Sequence, residues 1–344
     1  MAARIPYLKS LMGDDFQCFP FGSAHIGTTT YDSDIDIVVG CLNGKTIDDC
    51  RKALDDTKIT ILGQVMTTIP LLKVEIDDTP VDLIFAEFER KATPDTLLME
   101  CIKPTEANAR AVNGVLVSDW LIENIPNFEE FCQVVKSVKL WALTMNIYGT
   151  MLGYPGGMAW TLMVAKIFQE YDTSKMSVER IEDLFFRYYR RWNWPAPVIL
   201  APRDDSQKQY KNWNPYRYPR DQCFMAVITP VYPTMNSTYC VTEAALKHIE
   251  LCFRDMTDKV YWDDYNPKNW INFRIERPED DDTFKLQLKA LCSKIYEREK
   301  VVYVYPFTYF GQQYIKVFYC GDLNLDDVFD GFNYRYVNQD VSQW

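Results

Sequence analysis

A Gly-Ser turn followed, after a short polar loop, by two carboxylates at the head of an apolar run constrains this chain more than any other feature. The stretch runs Phe21-Gly22-Ser23-Ala24-His25-Ile26-Gly27-Thr28-Thr29-Thr30-Tyr31-Asp32-Ser33-Asp34-Ile35-Asp36 and continues into Ile37-Val38-Val39. Side chains alternate along a strand, so Asp34 and Asp36 face the same way. Two such carboxylates repel, and one keeps a proton through a raised pKa unless a cation lies between them. Mg²⁺ binds through one or two carboxylates plus substrate phosphates, and Gly22-Ser23 opens a turn suited to a phosphate. A lone Asp-x-Asp is most often a solvated strand end, and a lone Gly-Ser only a turn. Together, with a strand-like flank, they point to nucleotidyl transfer.

This arrangement resembles the polymerase-β-type nucleotidyltransferases, whose signature is Gly-Ser followed by Asp-x-Asp. That family uses a third carboxylate on a neighbouring strand. Val74 and Ile76 alternate, Asp77-Asp78 suits a turn, and Val81-Asp82-Leu83-Ile84-Phe85 reads as a second strand. Asp82 stands among apolar neighbours, where a charge is costly unless paired or metal-bound. Asp34, Asp36 and Asp82 are therefore the candidate catalytic and metal-binding residues.

At 344 residues the chain has length for two or three domains. It shows neither a long apolar span nor a basic-then-apolar leader, so no membrane association is expected. Its ten cysteines are scattered without a Cys-x-x-Cys pair, which suggests reduced thiols rather than disulfides or zinc. The net charge of −11 is awkward for a nucleic-acid enzyme. RNA contact must then come from local basic surface or from a partner.

From Ile122 onward the apolar period lengthens to that of a helix. Val134, Val135, Val138, Trp141, Ala142 and Met145 form one helix face. A buried helix is expected over 159–171, a third around Ile181, Leu184, Phe185 and Tyr188, and a fourth around Leu246, Ile249 and Phe253. Four blocks are more specific: Val138-Lys139-Leu140-Trp141-Ala142, residues 147–160, Trp192-Asn193-Trp194-Pro195-Ala196-Pro197-Val198, and residues 228–241. Their order and spacing resemble the central domain of eukaryotic nuclear poly(A) polymerases, with the likeness running from about Phe21 to Phe253.

The resemblance implies roles position by position. Phe21 and Met158 would sandwich the adenine of ATP; Lys139 and Tyr148 would hold its triphosphate. Gly22-Ser23 would cap the phosphates, Asn113 would meet the ribose, Gly156-Gly157 would admit the nucleotide, and Thr238 would lie near the base. The family usually has Asn at the place of Thr150, a polar or basic residue at Leu143, and valine at Met158; the first two departures loosen base or phosphate contacts, so less strict ATP selectivity is expected. It also carries more residues ahead of its Gly-Ser, which implies a compact form with a shortened N-terminus. Two Mg²⁺ or Mn²⁺ ions, an RNA 3′ end, a 3′-end processing or processivity partner, and a nuclear location follow from the resemblance, although no basic import signal is visible.

Toward the C-terminus, Trp270-Ile271-Asn272-Phe273-Arg274-Ile275 alternates like a strand. A helix face follows (Phe284, Leu288, Leu291, Ile295), then strands at 301–305 and 314–319, then a short helix and strand near 324–337. This order suggests a ferredoxin-like or RRM-like sandwich. The acidic run Glu279-Asp280-Asp281-Asp282 reads as a solvated turn. Between Phe185 and Arg220 lie eight basic residues against two acids. Arg187, Arg190 and Arg191, with interleaved Tyr188, Tyr189, Tyr210, Trp213, Tyr216 and Tyr218, make this the candidate single-strand RNA surface.

The expected fold is α+β: a nucleotidyltransferase palm over 1–110 (a mixed sheet with helices), a helical central domain over 111–258, and an RRM-like domain over 259–344. The expected activity is template-independent addition of AMP to RNA. The rivals are a terminal transferase with another base preference and a non-catalytic subunit or RNA-binding scaffold.

Overall fold

The computed structural model describes residues 4–30, 33–55, 57–66, 69–101, 105–258, 269–276, 281–309 and 312–320, and near the C-terminus 322–325, 327–329, 332 and 334–337. Tyr31 and Asp32 of the opening motif, and Glu279 and Asp280 of the acidic run, lie outside the described residues.

A first unit runs α1 (Arg4–Met12), β1 (Phe16–Phe21), α2 (Gly22–Ile26), β2 (Ile35–Cys41), α3 (Ile47–Asp55), β3 (Thr60–Met66), β4 (Pro70–Ile76), β5 (Thr79–Glu87) and the single turn α4 (Leu97–Glu100). Its sheet has the order β1-β2-β5-β4-β3. β2 and β5 are parallel, and the other neighbours antiparallel. Asp77 and Asp78 both take positive φ, 49° and 55°, in the two-residue turn joining β4 to β5, the conformation a tight hairpin needs and Asp tolerates.

β2 is buried on both faces, which explains its unbroken apolar run. Ile35, Ile37 and Val39 pack in a core with Leu8 of α1 and Leu54 of α3. Val38 packs on the other side with Val112 and Val115 of α5 (Glu106–Asn124). That helix was not anticipated: the helical reading began only at Ile122, and the boundary expected at residue 110 falls inside it. Its buried face carries Asn108, Asn113 and Ser118 as well as apolar groups, which blurs the 3.6-residue pattern.

The helical unit continues with α6 (Phe128–Thr144), α7 (Gly157–Glu170), α8 (Val178–Arg190) and α9 (Glu243–Asp258). α7 is the buried helix expected over 159–171; nine of its residues, among them Trp160 and Ile167, are fully covered or nearly so. Trp141, Trp160, Phe185, Phe186, Tyr189 and Phe253 interlock largely edge-to-face at its centre. Among the described residues no helix is long and apolar enough to cross a membrane.

The C-terminal unit is β6 (Asn269–Ile275), α10 (Asp281–Tyr296), β7 (Val301–Tyr309), β8 (Gln312–Tyr319) and β9 (Tyr334–Val337), with sheet order β7-β8-β6-β9 and all pairs antiparallel. Asp281 and Asp282 open α10 rather than a turn. The described residues between β8 and β9 form turns where a short helix was expected.

Gly40 shows how tightly the first unit is packed. A Cβ there would lie 2.2 Å from Cε2 of Phe88, so the strand needs a glycine for close approach. Gly40→Ala should cost about 1–3 kcal/mol through overpacking. In chemical denaturation, Phe88→Ala in the same chain should remove most of that extra cost; strict additivity of the two changes would show that the contact is not what demands glycine.

Candidate functional site

The sheet brings the carboxylates together. Asp36 is opposite Asp82 across the parallel pair β2–β5 and opposite Phe21 across β1–β2. Along β2, Asp36 shares a face with Val38, and along β5, Asp82 shares one with Ile84; both belong to the side covered by α5. The N-terminal ends of the two parallel strands thus carry charge where the rest of that face is apolar. Asp34 stands just ahead of β2 and is exposed.

Gly22 is fixed here for two reasons. Its φ is +68°, and a Cβ would lie 2.5 Å from Oδ2 of Asp36. The Gly22 amide donates to Ser118 Oγ at 3.0 Å, and that hydroxyl donates to the Gly114 carbonyl at 2.8 Å. Gly114 in turn makes room for Phe21, whose ring would sit 2.5 Å from a Cβ at that position. Gly114 and Ser118, four apart on one helix face, are functional supports that the sequence reading missed. His25 is not aimed at phosphate: its Nε2 lies 2.8 Å from Asp119 Oδ1, tying α2 to α5.

Electrostatics make this edge a candidate cation site. Burial first, then the charges of Asp82 and Asp34, push Asp36 up to about 7, against the pull of Lys139. Asp82 is also raised, by burial before Asp34, while Lys73 beside it on β4 acts in the opposite direction. A hard divalent cation would relieve burial cost and repulsion together, so the oxygen donors fit Mg²⁺ or Mn²⁺. Among the described residues no three His, Cys, Asp or Glu side chains are gathered tightly enough to cage an ion; Mg²⁺ commonly completes its shell with substrate phosphate and water.

A cavity of about 550 Å³ opens over this edge. Phe21, Gly22, Ser23, Asp34, Asp36, Lys139, Tyr148, Gly157 and Met158 line it. Lys139 is 3% exposed and donates to the Thr28 carbonyl at 3.4 Å and hydroxyl at 3.3 Å. Burial draws its ammonium down to about 8, with Asp36 opposing. Gly157, at the start of α7, lets Tyr148 and Lys139 close in: a Cβ there would meet the Tyr148 hydroxyl at 2.6 Å and Lys139 Nζ at 3.6 Å. Leu143 and Thr150 share the wall with Met158. Lys285 of α10, which the sequence reading did not single out, also lines the cavity.

Other expected contacts sit behind that wall. Asn113 is buried and donates to the Pro233 carbonyl at 3.1 Å. Thr238 is fully buried; its hydroxyl donates to the Met225 carbonyl at 2.8 Å and accepts from the Val227 amide at 3.1 Å. Gly156 caps the N-terminus of α7 and does not line the cavity. Arg187, Arg190 and Arg191 are exposed at the end of α8, away from it. Arg187 is paired with Asp183 at 2.8 Å, and Arg190 donates to Thr257 at 3.0 Å. Of the interleaved aromatics, Tyr189 and Tyr210 are core side chains and offer no free ring face, whereas Tyr216 is fully exposed.

Comparison with known proteins shows which family the chain is similar to. Residues 130–266 match the family model of the poly(A) polymerase central domain. Poly(A) polymerase PAPalpha of Candida albicans is 35% identical over 67% of this chain and 43% of its own length. Nuclear poly(A) polymerase 1 of Arabidopsis thaliana is 27% identical over 88% of this chain and 47% of its own, which carries the likeness past Phe253. The chain spans less than half the length of these curated relatives. Among solved structures, the Cid1 poly(U) polymerase bound to MgGTP superposes with a TM-score of 0.53 at 15% identity, covering 83% of this chain and 91% of its own. That likeness is one of fold.

The raised carboxyl of Asp36 gives a signed expectation. Its neutral form favours the folded state fully below the unfolded value of about 4; that contribution is lost as pH rises through about 7. In thermal melts with EDTA, wild-type protein should therefore lose stability across this window, and Asp36→Asn should raise the midpoint more at pH 8 than at pH 5. Equal effects at the two pH values would mean that Asp36 is already ionised in the metal-free protein.

Proposed function

Since the chain belongs with the eukaryotic poly(A) polymerases, we propose that it adds AMP from ATP to RNA 3′ ends without a template and releases pyrophosphate. The observation that carries the reading is the register of Asp36 against Asp82, with Asp36 lining the same cavity as Gly22 and Ser23. Asp34, Asp36 and Asp82 would hold two divalent cations, Mg²⁺ or Mn²⁺. Bound there, the ions would supply Lewis acidity to the primer hydroxyl and the leaving phosphates. The chain's own part is positioning and charge, the main needs of phosphoryl transfer. Lys139 and Tyr148 hold the triphosphate against α7, and Gly22-Ser23 caps it with backbone that α5 keeps in place. Phe21 and Met158 flank the base. Asn113 and Thr238 act from one layer back, fixing the loop segments around Pro233 and residues 225–238. Relatives named as nuclear enzymes support a nuclear site of action, and a processing or processivity partner would supply RNA affinity that an acidic chain lacks.

A different base preference is the reading to test against, because Leu143, Thr150 and Met158, the three departures from the family pattern, share the cavity wall. Purified protein is incubated with oligo(A) and each of four nucleoside triphosphates, singly and in competition. Preferential ATP use supports the proposal; preferential UTP use, or no extension with any nucleotide, overturns it. Asp82→Ala should lower extension by at least about 10²–10³, the scale of one lost electrostatic stabiliser, without lowering the melting temperature.

The surface at the end of α8 is the proposed primer track. Neutralising Arg187, Arg190 and Arg191 together should weaken oligo(A) binding and reduce the slope of log K against log salt by roughly 2, at about 0.7 per phosphate contact. An unchanged slope would move the primer to another surface or to a partner.

A further inference from the structure

Among the described residues, the cavity takes its cationic lining from two lysines on different units, Lys139 of α6 and Lys285 of α10. Lys139 is committed to the inner wall by its burial and its contacts with Thr28. Lys285 arrives from the C-terminal sheet unit, and its position there is not free to drift. Its helix neighbours Phe284 and Leu288 are 2% and 0% exposed within the C-terminal core. One turn further on, Lys289 lays its stem over Gly153, where a Cβ would lie 3.2 Å from Lys289 Cε. Gly153 closes the short turn Thr150–Leu152, and all three residues of that turn line the cavity. Leu152 and Ala244, both from the helical unit, join the same apolar cluster as α10. The helix is thus clamped to the rim by apolar contact on either side of Lys285.

We infer that Lys285 binds substrate phosphate oxygens in this cavity, so that the C-terminal unit completes a site otherwise built by the other two. A polyanion in this cavity meets the carboxylates of Asp34 and Asp36, and cations held in the same lining offset that repulsion without reorganising during the reaction. A lysine on a rigid helix is a point charge suited to that task. The inference rests on the transferase reading above and leaves two sources for the phosphate: the triphosphate of the incoming nucleotide and the phosphodiester at the primer's 3′ end.

Lys285→Ala and Lys285→Arg are compared with wild-type protein by calorimetric titration with MgATP and with oligo(A), by steady-state extension, and by thermal melting. Lys285→Ala should weaken one or both ligands by about three- to tenfold, the size of one lost charge-assisted contact. Lys285→Arg should keep most of the affinity, with the melting temperature unchanged in both. Weakening of MgATP with a raised KM and a held kcat assigns the triphosphate. Weakening of oligo(A) with a salt slope lower by about 0.7 assigns the primer. Unchanged binding of both ligands overturns the inference, as does a fall in melting temperature that Lys285→Arg does not restore. Should the wild-type protein extend no primer, the transferase reading fails, while the two titrations still decide the role of Lys285.

Discussion

Asp36 and Asp82 stand abreast on two parallel strands, at a half-buried edge where burial disfavours both charges and that of Asp82 adds to the cost of ionising Asp36. The surroundings are arranged around that unfavourable pair. Gly22 leaves Asp36 the space a Cβ would take, and α5 anchors Gly22 through Ser118. Lys139 contributes an opposing charge to Asp36 while itself being buried. A folded protein tolerates such a cluster when the strands carrying it are held by cores on both faces, and β2 is held in that way by Ile37 and Val39 on one side and Val38 on the other. Stability made elsewhere sustains a site whose carboxylates are costly to ionise.

The carboxylates were legible in the sequence because strand geometry has a strict period of two: Asp34-Ile35-Asp36 and Val81-Asp82-Leu83 announce their faces directly. Lys139 and Gly157, which line the cavity, were singled out through family resemblance rather than through any local pattern; Gly156, singled out with them, does not line it. α5 was hidden. A helix with Asn108, Asn113, Gly114 and Ser118 on or near its buried side lacks a clean apolar stripe. Three of them serve the site: Ser118 holds Gly22, Gly114 seats Phe21 and Asn113 ties down Pro233. Lys285 was illegible for a different reason. Its place in the cavity depends on how one unit docks on another, and no local sequence pattern encodes that.

The acidic balance and the basic stretch near α8 look different once side chains are placed. Arg187 lies against Asp183, Arg203 against Asp205, and Lys211 against Asp221. Exposed pairs of this kind are weak and screened by salt, so an approaching polyanion can displace the acid. They nevertheless lower the long-range attraction that a charge count along the sequence suggests.

The C-terminal sheet illustrates the same economy of surface. Its strand order is that of an RRM-like sandwich, and in that fold aromatic rings on the open sheet face stack on bases. Here Tyr303 is 1% exposed and stacks on Phe318 with ring centroids 4.1 Å apart. Tyr305 stacks on His248 of α9 at 4.1 Å, and the imidazole Nδ1 lies 3.0 Å from the hydroxyl of Tyr154, beside α7. Leu251 of α9 closes the same cluster. The rings that would read bases in an open sheet are spent on joining the sheet to the helical unit. What this docking gains is placement of the opposite face: with β7 fixed on α9, α10 comes to rest against Gly153 and the turn before it. A fold associated with base stacking therefore contributes to the substrate site through a helix and a lysine instead of through its sheet.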